Sequence, residues 1–339
     1  MSAANPTIKD VAQRAGVSVA TASRAITGHP NVSARARELV LEAAAALGYQ
    51  PDPVAQSLRR RRTNLLGLVV STIENVFFTE VARAAEQSAH RHGYNLIVCN
   101  TDENPAQEDS YLSVLDRQLI AGIILAPAPG HAEHLQPYIA SGLPIVLVNR
   151  RFSHLPLSSV TCDDAAASQQ CVQQLISEGR RRIAAITGLE GVSTTEDRLA
   201  GYHAAVQAAG VPVLEVSGGA TLEGGYRAMT ELLQHDERPD AVFVFNNLMT
   251  QGAVMATQDA GLRWPDDIDI AGFGAFQSAK LYRPPLTLIE QPTHAMGERA
   301  VAMLIDQIEN RDGHQTHLVL SNRLVPRQEV RASNSSEQI

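Results

Sequence analysis

At 339 residues with 44% apolar side chains, the chain is long enough for two or three compact units and too apolar to remain unfolded. No apolar run approaches the roughly 20 residues of a membrane span. The opening MSAANPTIKDVAQRAG has no basic stretch ahead of an apolar core, so a cytoplasmic protein without a secretion signal is expected. The net charge of −8 argues superficially against a nucleic-acid partner, but residues 1–62 hold nine Lys or Arg against four acids, a local +5, and the remainder 19 against 32, a local −13. A basic head on an acidic body is the electrostatic footprint of a DNA-binding module joined to a second function. Cys99, Cys162 and Cys171 lie in apolar or helical contexts without metal-ligand spacing. Reduced, mostly buried thiols are expected there, with a metal or redox role as the alternative, and no cofactor is implied.

The head opens on Thr7-Ile8-Lys9-Asp10, a hydroxyl followed three residues later by a carboxylate, the form of a helix-initiating capping box. Ile8, Val11, Ala12 and Ala15 then share one face of a helix that Gly16 stops. Ser18 caps a second short helix carrying Thr21, Ala22, Ala25 and Ile26, broken by Gly28-His29-Pro30. Ser33 caps a third, running through Ala46 to Gly48. Helix, tight turn, helix and supporting helix make a helix-turn-helix, whose second helix meets base edges with its N-terminal residues. Val19 and Ala20 can offer only apolar contacts there, such as to a thymine methyl. Arg24 can donate twice to guanine, or else is an ordinary surface charge; Thr21, Ser23 and the helix amides are placed for phosphates.

Tyr49 to Leu58 follows, YQPDPVAQSL, then four arginines. Two prolines make an extended linker, and Pro53 can start a helix in which Val54, Ala55 and Leu58 share a face. A helix this short is marginal alone in water and should form against DNA or a second copy. Leu58 is an apolar wedge for a minor-groove base step, or an ordinary linker packing residue. From TIKDVAQRAG through DPVAQSLR this segment resembles the head and hinge of the LacI/GalR (lac-repressor) family in order and spacing. The resemblance implies that Val19 and Ala20 set operator preference, that Arg24 reads a base and that Leu58 intercalates at the operator centre. The full set expected at the DNA is Thr7, Ser18, Val19, Ala20, Thr21, Ser23, Arg24, Asn31, Val32, Ala55 and Leu58.

Beyond residue 62 apolar runs alternate with amphipathic stretches. Strands are expected at 65–70, 95–99, 122–126, 144–148, 159–163, 182–187, 241–245 and 269–273. Helices are expected at Phe78–His92, Gln107–Arg117, Ala165–Glu178, Arg198–Ala209, Leu222–Gln234 and Leu248–Ala260. Near-continuous apolar strands separated by helices indicate parallel sheets covered on both faces, here two doubly wound α/β halves. Ligands in such folds sit beyond the carboxyl ends of the strands, hence in the cleft between the halves.

This body resembles the core of the same family to about Val330, through ENVFFTEVARAAEQ, EDRLAGYHAAV, VFNNLMTQGAV, DIAGFG and PPLTLIEQP. The resemblance implies a two-lobed, periplasmic-binding-protein-like core of doubly wound parallel sheets behind an all-α helix-turn-helix head. The expected division is 1–49 head, 50–62 hinge, 63–330 core and 331–339 disordered tail. Within the core, one lobe takes 63–163 plus 293–320 and the other 164–291 plus 321–330. It implies effector contacts from Ser71, Phe77, Phe78, Asn149, Arg198 opening its helix, Asn246, Gly274 and Gln291. Asn and Arg give directional hydrogen bonds, and Phe covers a sugar's apolar face. Equally, Phe77 or Phe78 could be core, and Asn149 or Asn246 strand-end caps. Relatives often carry acids where Asn149 and Gly274-Ala275 stand and an aromatic where Ala220 stands. With those carboxylates gone and Arg198 kept, a sugar acid or sugar phosphate is slightly favoured over a neutral sugar.

A solute-binding protein without a DNA role would share the body but not the basic head. Catalysis finds no support: Gly188-Leu189-Glu190-Gly191 lacks the spacing of a phosphate loop, and neither GxSxG nor HExxH occurs. The expectation is a sequence-specific transcriptional repressor, no enzyme, controlled by a small carbohydrate-type effector. Reading a palindromic operator requires two heads, and the tail RASNSSEQI lacks a leucine heptad, so a homodimer is expected.

Overall fold

The computed structural model describes residues 6–26, 31–49, 63–130, 132–274, 282–310 and 314–327. The break at 28–30, the hinge with Ala55 and Leu58, Ala275 and the tail after residue 330 lie outside the described residues. The chain divides into two compact units, Met1–Thr63 and Asn64–Ile339.

The first unit comprises α1 (Ile8–Ala15), α2 (Val19–Ile26) and α3 (Ala34–Leu47). Its ends are fixed by local chemistry. The Asp10 carboxylate accepts from both the amide and the hydroxyl of Thr7 at 2.7 Å, and these bonds hold its pKa below the usual carboxylate value. Gly16 takes φ 66° after α1, returning the Val17 amide to Ala12 O at 3.1 Å; Gly48, at φ 63°, does the same after α3. Ser18 Oγ accepts from the Thr21 amide (3.1 Å) and Ser33 Oγ from the Ala36 amide (3.3 Å). Val11, Ala12, Ala22, Ala25, Val40 and Ala43 are buried where the three helices meet, so small side chains let the helices approach closely.

The second unit is two parallel-sheet lobes. The first has β1 (Leu65–Val70), α4 (Val76–Arg91), β2 (Asn95–Asn100), α5 (Pro105–Arg117), β3 (Gly122–Leu125), α6 (Gln136–Ala140), β4 (Ile145–Val148) and β5 (Ser158–Cys162). The chain then builds the second lobe from α7 (Asp164–Ser177), β6 (Ile183–Thr187), α8 (Ser193–Ala209), β7 (Leu214–Ser217), α9 (Leu222–Leu233), β8 (Ala241–Val244), α10 (Asn247–Asp259), β9 (Asp269–Phe273) and β10 (Thr287–Glu290). It returns to the first lobe for α11 (Thr293–Asn310) and β11 (His317–Leu320), and ends in the second with β12 (Arg323–Val325). Strand orders are β11-β5-β4-β3-β1-β2 and β12-β10-β9-β8-β6-β7. All neighbours are parallel except the β10–β12 pair. Each sheet reverses its winding once, between β1 and β3 and between β6 and β8, the crevice position where such folds bind ligands.

The strands read as apolar runs because helices cover both sheet faces: β3, β4, β8 and β9 are buried along their whole length. The sequence-based expectation leaves out β7, β10, β11, β12, α6 and α11. Of these, α11 has the largest role: it packs against α4 and across β3, β4 and β5, sealing one face of the first sheet.

Helix pairs on the sheet faces meet at glycines. A Cβ on Gly252 of α10 would collide with the Leu222 carbonyl oxygen and, at 2.6 Å, with the Tyr226 amide nitrogen of α9. Backbone has nowhere to retreat there. We expect Gly252→Ala to destabilise the full chain by about 1–3 kcal/mol through overpacking, measured by urea unfolding. A midpoint equal to wild type would show the α9–α10 contact to be softer than the geometry indicates.

Candidate functional site

In the first unit, α2 buries Ala22 and Ala25 and turns Val19, Ala20 and Arg24 outward, with Ala20 and Arg24 one helical turn apart. Thr7, Ser18 and Asn31 are also exposed, while Thr21 and Ser23 are half-buried. Ser18 Oγ lies 2.8 Å from Thr21 Oγ1, so both hydroxyls already take part in capping α2. Val32 packs against the head's core, which leaves it less surface for a base than expected.

In the second unit a cleft, partly open to solvent, lies at the carboxyl ends of both sheets. Phe77, Phe78, Asn149, Arg198, Asn246, Gly274 and Gln291 all line it, drawn together from six chain segments. Ser71 does not: it is fully buried at the end of β1, its hydroxyl without a hydrogen-bond partner, and its neighbour Thr72 faces the cleft instead. Phe77 and Phe78 pack edge to face, centroids 4.9 Å apart, and belong to the first lobe's core as well as the cleft wall.

Polar side chains hold the rim. Asn75 caps α4, its Oδ1 accepting from the Phe77 amide at 3.0 Å. Asn246 caps α10, accepting from the Met249 amide (2.7 Å) and donating to Ala220 O (3.0 Å). Asn246 thus lines the cleft while capping a helix start rather than a strand end. Four non-glycine residues with positive φ line or adjoin the cleft: Asp102 (50°), Glu103 (59°), Asn149 (65°) and Ala220 (63°). L-residues adopt this backbone at a cost, and such strain concentrates at binding sites.

Arg198 sits in the second turn of α8 rather than opening it; the helix starts at Ser193, after Gly191 turns the chain at φ 72°. Each of its three guanidinium nitrogens has a partner. Nε and Nη2 reach Asp164 Oδ2 at 2.8 and 2.7 Å, Nη1 donates to Phe245 O, and Cζ stands 3.8 Å above the Phe273 ring. Burial pushes the Asp164 carboxyl up, while Arg198 and the Asn322 amide (2.9 Å to Oδ1) pull against it.

A second pair carries no local signal in the sequence. Arg150 donates to Glu103 through both terminal nitrogens at 2.6 Å and to Pro127 O at 2.8 Å, and both residues line the cleft. Two buried donors in lining residues lack an acceptor, Arg150 Nε and Gln291 Nε2. The cleft thus has carboxylates after all: Glu103 in its wall and Asp164 behind Arg198. Each arginine that lines the cleft is paired with a carboxylate.

Cys162 and Cys171 are buried and Cys99 half-buried; all three are free, and burial pushes their thiols up. Among the described residues no cluster of His, Cys, Asp or Glu is arranged to hold a metal, and no helix is long and apolar enough to cross a membrane.

A helix-turn-helix head joined to a two-lobed core with a cleft at the strand ends defines a ligand-responsive regulator built on a periplasmic-binding-protein fold. The profile for periplasmic binding proteins and the sugar-binding domain of the LacI family matches residues 63–328, and that for bacterial regulatory proteins of the lacI family matches 7–52. The chain belongs to the LacI family and is a DNA-binding transcriptional regulator with a small-molecule-binding core. It is 34% identical over 331 residues to catabolite control protein A of Priestia megaterium, covering 96% of this chain and 100% of that one. To the ribose operon repressor of Halalkalibacterium halodurans it is 33% identical over 332 residues, covering 98% and 99%. The crystal structure of the lac repressor dimer bound to operator and the anti-inducer ONPF aligns with a TM-score of 0.83 at 26% identity, covering 96% of this chain and 99% of that one.

Proposed function

We propose that this chain represses transcription as a homodimer on a pseudo-palindromic operator, read by Val19, Ala20 and Arg24. Its cleft takes a small, neutral, polyhydroxylated effector of the monosaccharide class. The observation that carries the effector class is the internal charge balance of the cleft: each arginine in its wall already faces a carboxylate, Arg150 on Glu103 and Arg198 on Asp164. An anion would have to compete with those carboxylates, whereas hydroxyls can use Asn149 without displacing a charge. Phe77 and Phe78 offer the apolar surface that a sugar ring's C–H face requires. Occupancy of the cleft and DNA binding are linked reciprocally, so an effector that weakens operator binding is itself bound less tightly on the operator. The matched head at residues 7–52 disfavours a solute-binding role without DNA.

A thermal-shift screen of neutral pentoses and hexoses, aldonates and sugar phosphates tests this. A neutral sugar at about 100 times its Kd should stabilise the chain by roughly 2.7 kcal/mol, a shift of several degrees. Stabilisation by aldonates or phosphates alone would restore the anionic effector.

A further inference from the structure

We propose that Arg151 and Asp197 form an electrostatic clasp that favours closure of the two lobes beside the cleft. Arg151 lies one residue past Arg150, in the first-lobe segment that follows β4. Its guanidinium donates twice to the Asp197 carboxylate, at 2.5 and 2.8 Å, and its backbone amide donates to Ser193 Oγ at 3.0 Å. Ser193 and Asp197 are four residues apart on α8 of the second lobe, hence on one helical face. The arrangement is a planar fork on a carboxylate, with a backbone hydrogen bond one helical turn away fixing its orientation.

The clasp is built into the same elements as the cleft. Arg150 on one side, and Thr194 and Arg198 on the other, line the cleft, each next in sequence to a clasp residue. The cleft's own ion pairs join residues of one lobe: Glu103 and Arg150 in the first, Asp164 and Arg198 in the second. The Arg151–Asp197 pair crosses between lobes, so it is broken when they separate and the other two are not. With side-chain exposures of 40% and 23%, it is open to screening ions. Closure therefore depends on ionic strength, and the pair adds to the forces that bring the pocket walls together, which lowers the ordering cost of binding.

This inference rests on the cleft being the effector site but not on the effector's identity or on DNA. It is tested without either, on the full chain, by pulsed electron–electron distance measurement. Spin labels are placed at Glu133→Cys in the first lobe and Glu190→Cys in the second, both exposed positions, in a Cys99→Ser background. Arg151→Ala and Asp197→Ala should each raise the ratio of open to closed distances about two- to fivefold. The exchange variant R151D/D197R should return it toward wild type, which a folding defect would not do. About 1 M salt, where the screening length is about 3 Å, should open the wild type and leave the single variants unchanged. Identical distance distributions in wild type and single variants, or single variants that the charge exchange does not restore, would overturn the clasp.

Discussion

Arg198→Met should destabilise the chain by about 3–5 kcal/mol at neutral pH, because it leaves the Asp164 carboxylate buried without its cation. Methionine keeps much of the side-chain length over Phe273, so the loss is mainly electrostatic. The pH dependence separates this cause from packing. Asp164 is already pushed up by burial; without Arg198 its folded pKa rises further above that of the unfolded chain, about 3.9. A carboxyl raised in the folded state contributes stability that is present below the unfolded pKa and lost as pH rises through the folded one. The deficit of the variant relative to wild type should therefore be small near pH 4 and grow toward pH 7, reaching roughly 10 °C in Tm. Adding Asp164→Asn, which keeps an oxygen for the Asn322 amide, should recover more than half of the loss. A deficit constant across pH, or no recovery in the double variant, would mean that packing over Phe273 is what Arg198 chiefly provides.

That pair also shows where the sequence stops being readable. The head was legible almost to the residue because its signals are local: Asp10 closes on Thr7, Ser18 on Thr21, Ser33 on Ala36, and two glycines take positive φ where helices end. The central strands were legible because burial on both faces demands unbroken apolar runs such as IVLV and AVFV. Edge strands satisfy no such demand. β7 and β11 alternate between half-buried and exposed residues over four positions, too short for a period to emerge. The start of α8 is hidden by a polar run, Ser193-Thr194-Thr195-Glu196, which composition assigns to a loop, and its N-cap, Val192, makes no side-chain cap that could mark it. Arg198 lines the cleft, but its partner Asp164 stands 34 positions away and Glu103 stands 47 from Arg150. Neither partner carries a local pattern, so the pairing of charges around the cleft is the part that only the folded chain shows.

Arg24→Ala should lower affinity for the selected operator about a hundredfold or more while leaving low-salt binding to unrelated DNA nearly unchanged. Each two-donor contact from arginine to guanine discriminates by about 1–3 kcal/mol, and two heads on a palindrome double the loss. Arg24 lies on the outward face of α2 one turn after Ala20, whereas Ala22 and Ala25 are buried, a position from which it can meet either a base edge or a phosphate. Val19 and Ala20 contribute no hydrogen-bond code, so Arg24 carries most of the polar discrimination available to that face. The operator would first be selected from a randomised duplex pool with wild-type protein, and wild type and variant then compared on it across a salt series. A base-reading arginine should change the preference at one base pair of each half-site and leave the salt slope largely intact. A phosphate-binding arginine should weaken all sequences alike and reduce the slope by about one counterion per head. The second result would transfer specificity to the apolar pair Val19 and Ala20, and with it predict an operator recognised chiefly through thymine methyl groups.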